Sequence, residues 1–190
     1  MIDSLRFFSA AVVLTAFIHL SSIDTSAQDW TRFRGPNGNG VVEGTNFPTE
    51  WSEDDYAWQI ELPGQGHSSV VTHGGRGFLM SGDPQTAIRH VLAIDLNSGK
   101  ILWQRNYESK THRLHRRNSF GSSTPAVDTN GLYVAWSSPN ETVIKALSHA
   151  GEERWSRNLG TWTSQHGFGT SPIIAGGKLI LFNSQQKDQL

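Results

Sequence analysis

Ala93-Ile94-Asp95-Leu96-Asn97-Ser98-Gly99-Lys100-Ile101-Leu102-Trp103 decides the fold, because the stretch recurs. The second copy runs from Ala146 to Trp155, one residue shorter and with Leu147 in place of the aspartate. In both copies an apolar strand with an alanine leads into a glycine, Gly99 or Gly151, and a tryptophan follows four residues later, Trp103 or Trp155. An earlier string, Trp58-Gln59-Ile60-Glu61-Leu62, matches the tryptophan strands alone. The three tryptophans are 45 and 52 residues apart. Self-similarity at such a period marks a repeat architecture.

A second landmark follows each tryptophan string. It reads Ser68-Ser69-Val70-Val71, then Ser123-Thr124-Pro125-Ala126-Val127, then Thr170-Ser171-Pro172-Ile173-Ile174. A turn comes next each time: His73-Gly74-Gly75-Arg76, Asp128-Thr129-Asn130-Gly131 and Ala175-Gly176-Gly177-Lys178. These turns carry the Gly and Asn that hairpins need for positive φ. A short apolar strand follows, as in Leu132-Tyr133-Val134-Ala135-Trp136. Each repeat thus offers four short antiparallel strands: a Ser/Thr-rich strand, an apolar strand, an alanine strand and a tryptophan strand. That is one blade of a β-propeller. A sandwich also has closely spaced strands, but it does not predict the same glycine and tryptophan at the same place in successive units.

The repeat resembles that of the pyrroloquinoline-quinone (PQQ)-like β-propellers. Trp30-Thr31-Arg32-Phe33-Arg34-Gly35-Pro36-Asn37-Gly38-Asn39-Gly40, with Pro48-Thr49-Glu50-Trp51 after it, resembles the opening of a secreted, planctomycete-type subgroup of that superfamily. The resemblance implies a seven- or eight-bladed, quinoprotein-like ring and two kinds of role. Some relatives are dehydrogenases that use PQQ and calcium. Others are partner-binding assembly proteins without a cofactor. The adjacent-cysteine disulfide common in the enzymes has no counterpart here, and no residue matches their catalytic base or calcium ligands. No catalytic residue is therefore carried over. PQQ rests on the resemblance only, and a binding or scaffold module is favoured over an enzyme.

Composition narrows the rest. Of 190 residues, 17% are charged and 10% aromatic, too little charge for a coiled coil and too many rings for a disordered tail. The net charge of −1 gives no global pull on nucleic acid. The absence of cysteine excludes disulfides and thiolate metal sites. Residues 1–27 read as a signal peptide: Arg6, an apolar run from Phe7 to Leu20, then small residues at Thr25 and Ala27. The mature protein is expected in the periplasm or outside the cell, without a membrane span. Residues 28–56 read as an N-terminal extension and 57–190 as an incomplete all-β propeller. It would hold a lone tryptophan strand at Ala57–Leu62, two complete blades and half of another. Its 190 residues thus read as the N-terminal part of a longer ring, and residues 28–190 alone are not expected to form a stable monomer. Trp103 and Trp155 are expected to be largely buried against neighbouring blades.

In a propeller the connections from the outermost strand to the next innermost strand gather at one mouth of the channel. Here they are Pro63 to His67, Glu108 to Gly121 and Gly160 to Gly169. All contain histidine, and they suggest a polar patch of His67, Arg116, Arg117, Asn118, Gln165 and His166. Trp58, Gly99, Trp103, Gly151 and Trp155 are assigned to structure. His112 and His115 lack a His-Glu-x-x-His context, so no metal site is assigned. Lys110-Thr111-His112-Arg113-Leu114-His115-Arg116-Arg117 is basic and suits an acidic or sulfated glycan; a protein or another small molecule is the alternative partner.

Export should cut the chain after Ala27. Mass spectrometry of the exported protein is expected to give Gln28 as its N-terminus, and retention of the Phe7–Leu20 run would refute the signal peptide.

Overall fold

The computed structural model describes residues 28–42 and 48–184; the signal peptide assigned to 1–27 lies outside them. Two four-stranded antiparallel sheets and one strand pair follow in chain order. The first blade contains β1 (Val71–His73), β2 (Arg76–Gly82), β3 (Arg89–Asp95) and β4 (Ile101–Tyr107). The second contains β5 (Ala126–Asp128), β6 (Gly131–Ser138), β7 (Glu141–Leu147) and β8 (Glu153–Asn158). β9 (Ile173–Ala175) and β10 (Lys178–Ile180) begin a third. β1 touches β5, and β5 touches β9, so the first strand of each unit lies innermost. This is a partial β-propeller, as the repeat predicts.

Each blade is apolar on both faces, because it is a layer between two others. One face of the first blade presents Phe78, Met80, Val91 and Ala93 to Leu132, Val134, Trp136, Val143 and Leu147 of the second. Its opposite face presents Leu79, Leu92 and Ile94 to Trp58 and Ile60. The far face of the second blade packs Ala135 and Ile144 on Phe168, Trp162, Leu179 and Leu181.

The glycine–tryptophan repeat fastens one unit to the next. Gly99 and Gly151 sit at φ +71° and +80°, in the tight turns after β3 and β7. A Cβ on Gly99 would lie 2.7 Å from the Trp58 ring, and one on Gly151 would lie 2.8 Å from the Trp103 ring. Each indole also donates Nε1–H to a carbonyl of the same turn, Trp58 to Leu96 at 2.8 Å and Trp103 to His149 at 2.9 Å. The alanine of the repeat stands directly across the ladder from the tryptophan, Ala93 opposite Trp103 and Ala146 opposite Trp155. A bulge follows immediately in both blades, which re-aims the side chain.

The turns themselves close differently. Asp95 Oδ1 accepts from the backbone N–H of Asn97 and Ser98 and from the Ser98 hydroxyl, which holds its carboxyl below the usual carboxylate range. Where Leu147 replaces the aspartate, Ser148 Oγ takes over, accepting from Ala150 and Glu152 N–H.

Three expectations need correction. Residues 57–62 join no sheet, although Trp58 docks as a blade tryptophan would. Trp155 is 38% exposed rather than largely buried, because no described glycine turn lies on its ring. Trp103 is itself only partly buried, since its strand is the outermost of the blade. Within the N-terminal extension, the segment around Trp30 is hydrogen-bonded to the inner strands. Trp30 and Thr31 carbonyls accept from Thr72 and Val127 N–H, capping equivalent positions on the inner strands β1 and β5. The turn from Arg34 to Gly40 is closed by Gly38 N–H to Gly35 and by Gly40 N–H to Arg34.

Docking should make the two repeat tryptophans unequal in this chain. Trp103→Ala is expected to cost on the order of 3 kcal/mol and Trp155→Ala clearly less. Urea unfolding of the two variants, compared with the parent, checks the order; equal losses would contradict the docking account.

Candidate functional site

The inner strands begin later than the Ser/Thr landmarks suggest, and the residues before them link the blades. Ser69 N–H donates to Thr124 Oγ1 at 2.9 Å, and Thr124 N–H donates to Ser171 Oγ at 3.0 Å. Ser69, Thr124 and Ser171 occupy equivalent places in their repeats. This chain of hydrogen bonds holds the three mouth loops in fixed relation.

The loops then bind one another. His67 and Ser68 N–H both donate to the Gly121 carbonyl at 3.0 Å, tying the first loop to the second. Asn118 ties the second to the third: its Nδ2 donates to the His166 carbonyl at 2.5 Å. Its Oδ1 accepts from Ser119 N–H and from the Ser122 hydroxyl. His67 Nδ1 is hydrogen-bonded to Ser119 Oγ at 3.0 Å, and the His115 and His166 rings meet edge to face at 5.4 Å. A concavity of about 350 Å³ lies between them, lined by His67, His115, Arg117, Asn118, Ser122, His166 and Gly169.

Four of the six residues expected at the mouth therefore come together: His67, Arg117, Asn118 and His166. Arg116 and Gln165 lie outside the lining, both exposed. His115 and Ser122 line it without having been assigned, and Ser119 supports His67. The sequence holds a signal for Ser122 in the Phe120-Gly121-Ser122-Ser123 string, whose counterpart is Phe168-Gly169-Thr170-Ser171. It holds none for the side on which His115 emerges.

Residues 49–187 match the PQQ_2 family model, described as outer membrane protein assembly factor BamB. The chain belongs to this PQQ-repeat family. Among solved structures it is similar to a europium-containing methanol dehydrogenase, with 18% identity, a TM-score of 0.47 and coverage of 65% of this chain. The match spans 21% of that enzyme's length. No curated protein is matched.

Quinoprotein chemistry requires a fit that this PQQ-repeat chain does not offer at its mouth. Calcium takes six to eight oxygen ligands, carboxylates foremost. No Asp or Glu lines the concavity, and the Asn118 amide oxygen already serves two donors. Among the described residues, no group of three or more His, Asp and Glu is placed to hold a metal. These residues do not fit a calcium ion, and no oxidation step follows from them.

Behind the mouth, His112 is half-buried, edge-on to Phe120 at 5.2 Å, and its Nδ1 donates to the Lys110 carbonyl at 3.1 Å. Burial lowers its pKa below 6.5; the Lys110 carbonyl opposes that shift, and the Arg89 charge adds to it. The folded state therefore binds this proton less readily than the unfolded chain does. The contribution of His112 to stability is present above pH 6.5 and is lost as pH falls through that region. His112→Gln should give a smaller drop in urea midpoint between pH 7.5 and 5.5 than the parent shows; an unchanged drop would contradict the burial effect.

Proposed function

We propose that this PQQ-repeat chain is the ligand-binding part of an exported propeller protein, acting as a binding or scaffold module. Its ligand would be acidic and polar, of the class of sulfated or uronic-acid glycans. One observation carries the reading: the mouth concavity is lined by Arg117 and three histidines, with Asn118 and Ser122 engaged in holding the loops, and by no carboxylate. Arg113 and Arg116 are exposed and belong to the same loop as Arg117. Guanidinium groups pair with carboxylate and sulfate through two parallel hydrogen bonds. Loops over a rigid scaffold are where such recognition is usually built.

The expected test is calorimetric titration of the protein with a heparin-derived hexasaccharide. Arg117→Ala should weaken binding about tenfold, which corresponds to the loss of one charge-assisted contact. Absence of heat, or affinity unchanged in Arg117→Ala, would reject the acidic ligand. A calcium-dependent absorbance change on titration with PQQ would instead support the dehydrogenase alternative.

A further inference from the structure

The hydrogen bonds that join the first two mouth loops run in one direction and end on His67. Asn118 fixes that direction. Its Nδ2 donates to the His166 and Phe168 carbonyls, so its Oδ1 is the amide acceptor. Ser122 has a single hydroxyl hydrogen, and Asn118 Oδ1 takes it. Ser122 Oγ must then accept at its contact with Ser119 Oγ, at 3.0 Å. That uses the Ser119 hydrogen. His67 Nδ1, 3.0 Å from Ser119 Oγ, is therefore the donor of the remaining bond. The reverse assignment, with Ser119 donating to His67, would leave lone pairs facing each other between the two serines.

This succession places the proton of neutral His67 on Nδ1 and leaves Nε2 as an open lone pair. Among the described residues Nε2 has no protein partner, and the side chain is exposed at the concavity. A second proton can join Nε2 without breaking any bond of the network. His115 differs. Its Nδ1 accepts from Arg117 N–H at 3.2 Å, so its proton sits on Nε2 and a second one would displace that bond. The charged or titratable groups that share the lining with His67 are Arg117 and His115 from the second loop and His166 from the third. No carboxylate lines the concavity to hold a proton on His67 in the empty site.

We propose that His67 is a proton-operated anion ligand of the mouth concavity, which pairs with an acidic group through Nε2–H as the imidazolium and repels it as the neutral ring. The inference rests on the acidic-ligand reading above and adds its regulation. Histidine changes charge between pH 5 and 8. Proton and ligand binding are reciprocal: an anion beside Nε2 draws a proton onto the ring, and a proton already there tightens the anion. Ser119 is a positioning residue, because it holds Nδ1 and aims the ring.

Calorimetric titration with the heparin-derived hexasaccharide at pH 5.5 and 7.5, at equal ionic strength, tests the proposal. Binding should be about fivefold tighter at pH 5.5. Buffers of different ionisation heat should reveal net proton uptake at pH 6.5. His67→Gln should flatten the pH step, and Ser119→Ala should shrink it, with recovery in Ser119→Thr. Nitrogen-15 NMR of the unliganded protein at pH 8 should show the His67 proton on Nδ1, independently of any ligand. Absence of heat at both pH values rejects the acidic-ligand reading and this inference with it. Heat with equal affinity at both pH values rejects the inference alone. So does a pH step that survives in His67→Gln, and so does a neutral His67 with its proton on Nε2.

Discussion

The architecture depends on one contact, an indole ring laid on a glycine turn of the next unit. Sheets in a propeller have no covalent reason to keep their mutual angle. Apolar packing between them is non-directional, so it holds blades together without fixing their rotation. The docked tryptophan supplies direction. Its ring needs a turn without a Cβ, and its Nε1–H reaches a carbonyl of that same turn. The outermost strand of one layer is thereby locked to the next at the rim of the ring.

The inner end has its own fastener. The Ser69–Thr124–Ser171 succession repeats one backbone-to-hydroxyl hydrogen bond from blade to blade around the axis. The segment around Trp30 and Thr31 bridges the first two inner strands. With rim and axis both fixed, the loops at the mouth have little freedom. This explains why side chains from three loops, nearly one hundred residues apart in sequence, converge on one small concavity.

Polar groups at the mouth and behind it share an imbalance. An arginine and histidines line the mouth concavity, and no carboxylate lines it or the pocket beside Arg89. Lys145, at the same blade interface, shows the contrasting solution. It is paired with Glu153 at 2.9 Å and lies near the Tyr107 and Trp136 rings, so its charge is balanced within the protein. Arg89 has an aromatic face and two carbonyls but no counter-charge. The charge balance of the interface is thus uneven between its outer and mouth ends.

Much of the fold was legible in the residues. Glycine followed four residues later by tryptophan, with an alanine strand ahead, marks a docking unit whose requirements are local: positive φ at Gly99 and Gly151, and a small residue opposite each ring. The four-strand unit and its turns follow from local chemistry in the same way. The Ser/Thr-rich landmarks were visible, but their cross-blade hydrogen bonds were not, because each partner lies 47 or 55 residues away. For the same reason Asn118 was legible as a polar loop residue and not as the tie to His166. Its loop places His115 in the lining and Arg116 outside it, though the two are adjacent in sequence. The exposure of Trp155 likewise depends on what the neighbouring layer supplies. Sequence by itself determined the repeating unit, because backbone conformation and alternating burial are set by near neighbours. Only the tertiary structure decided which side chains share the mouth and which cation is left unpaired, because those outcomes depend on how whole blades are rotated against each other.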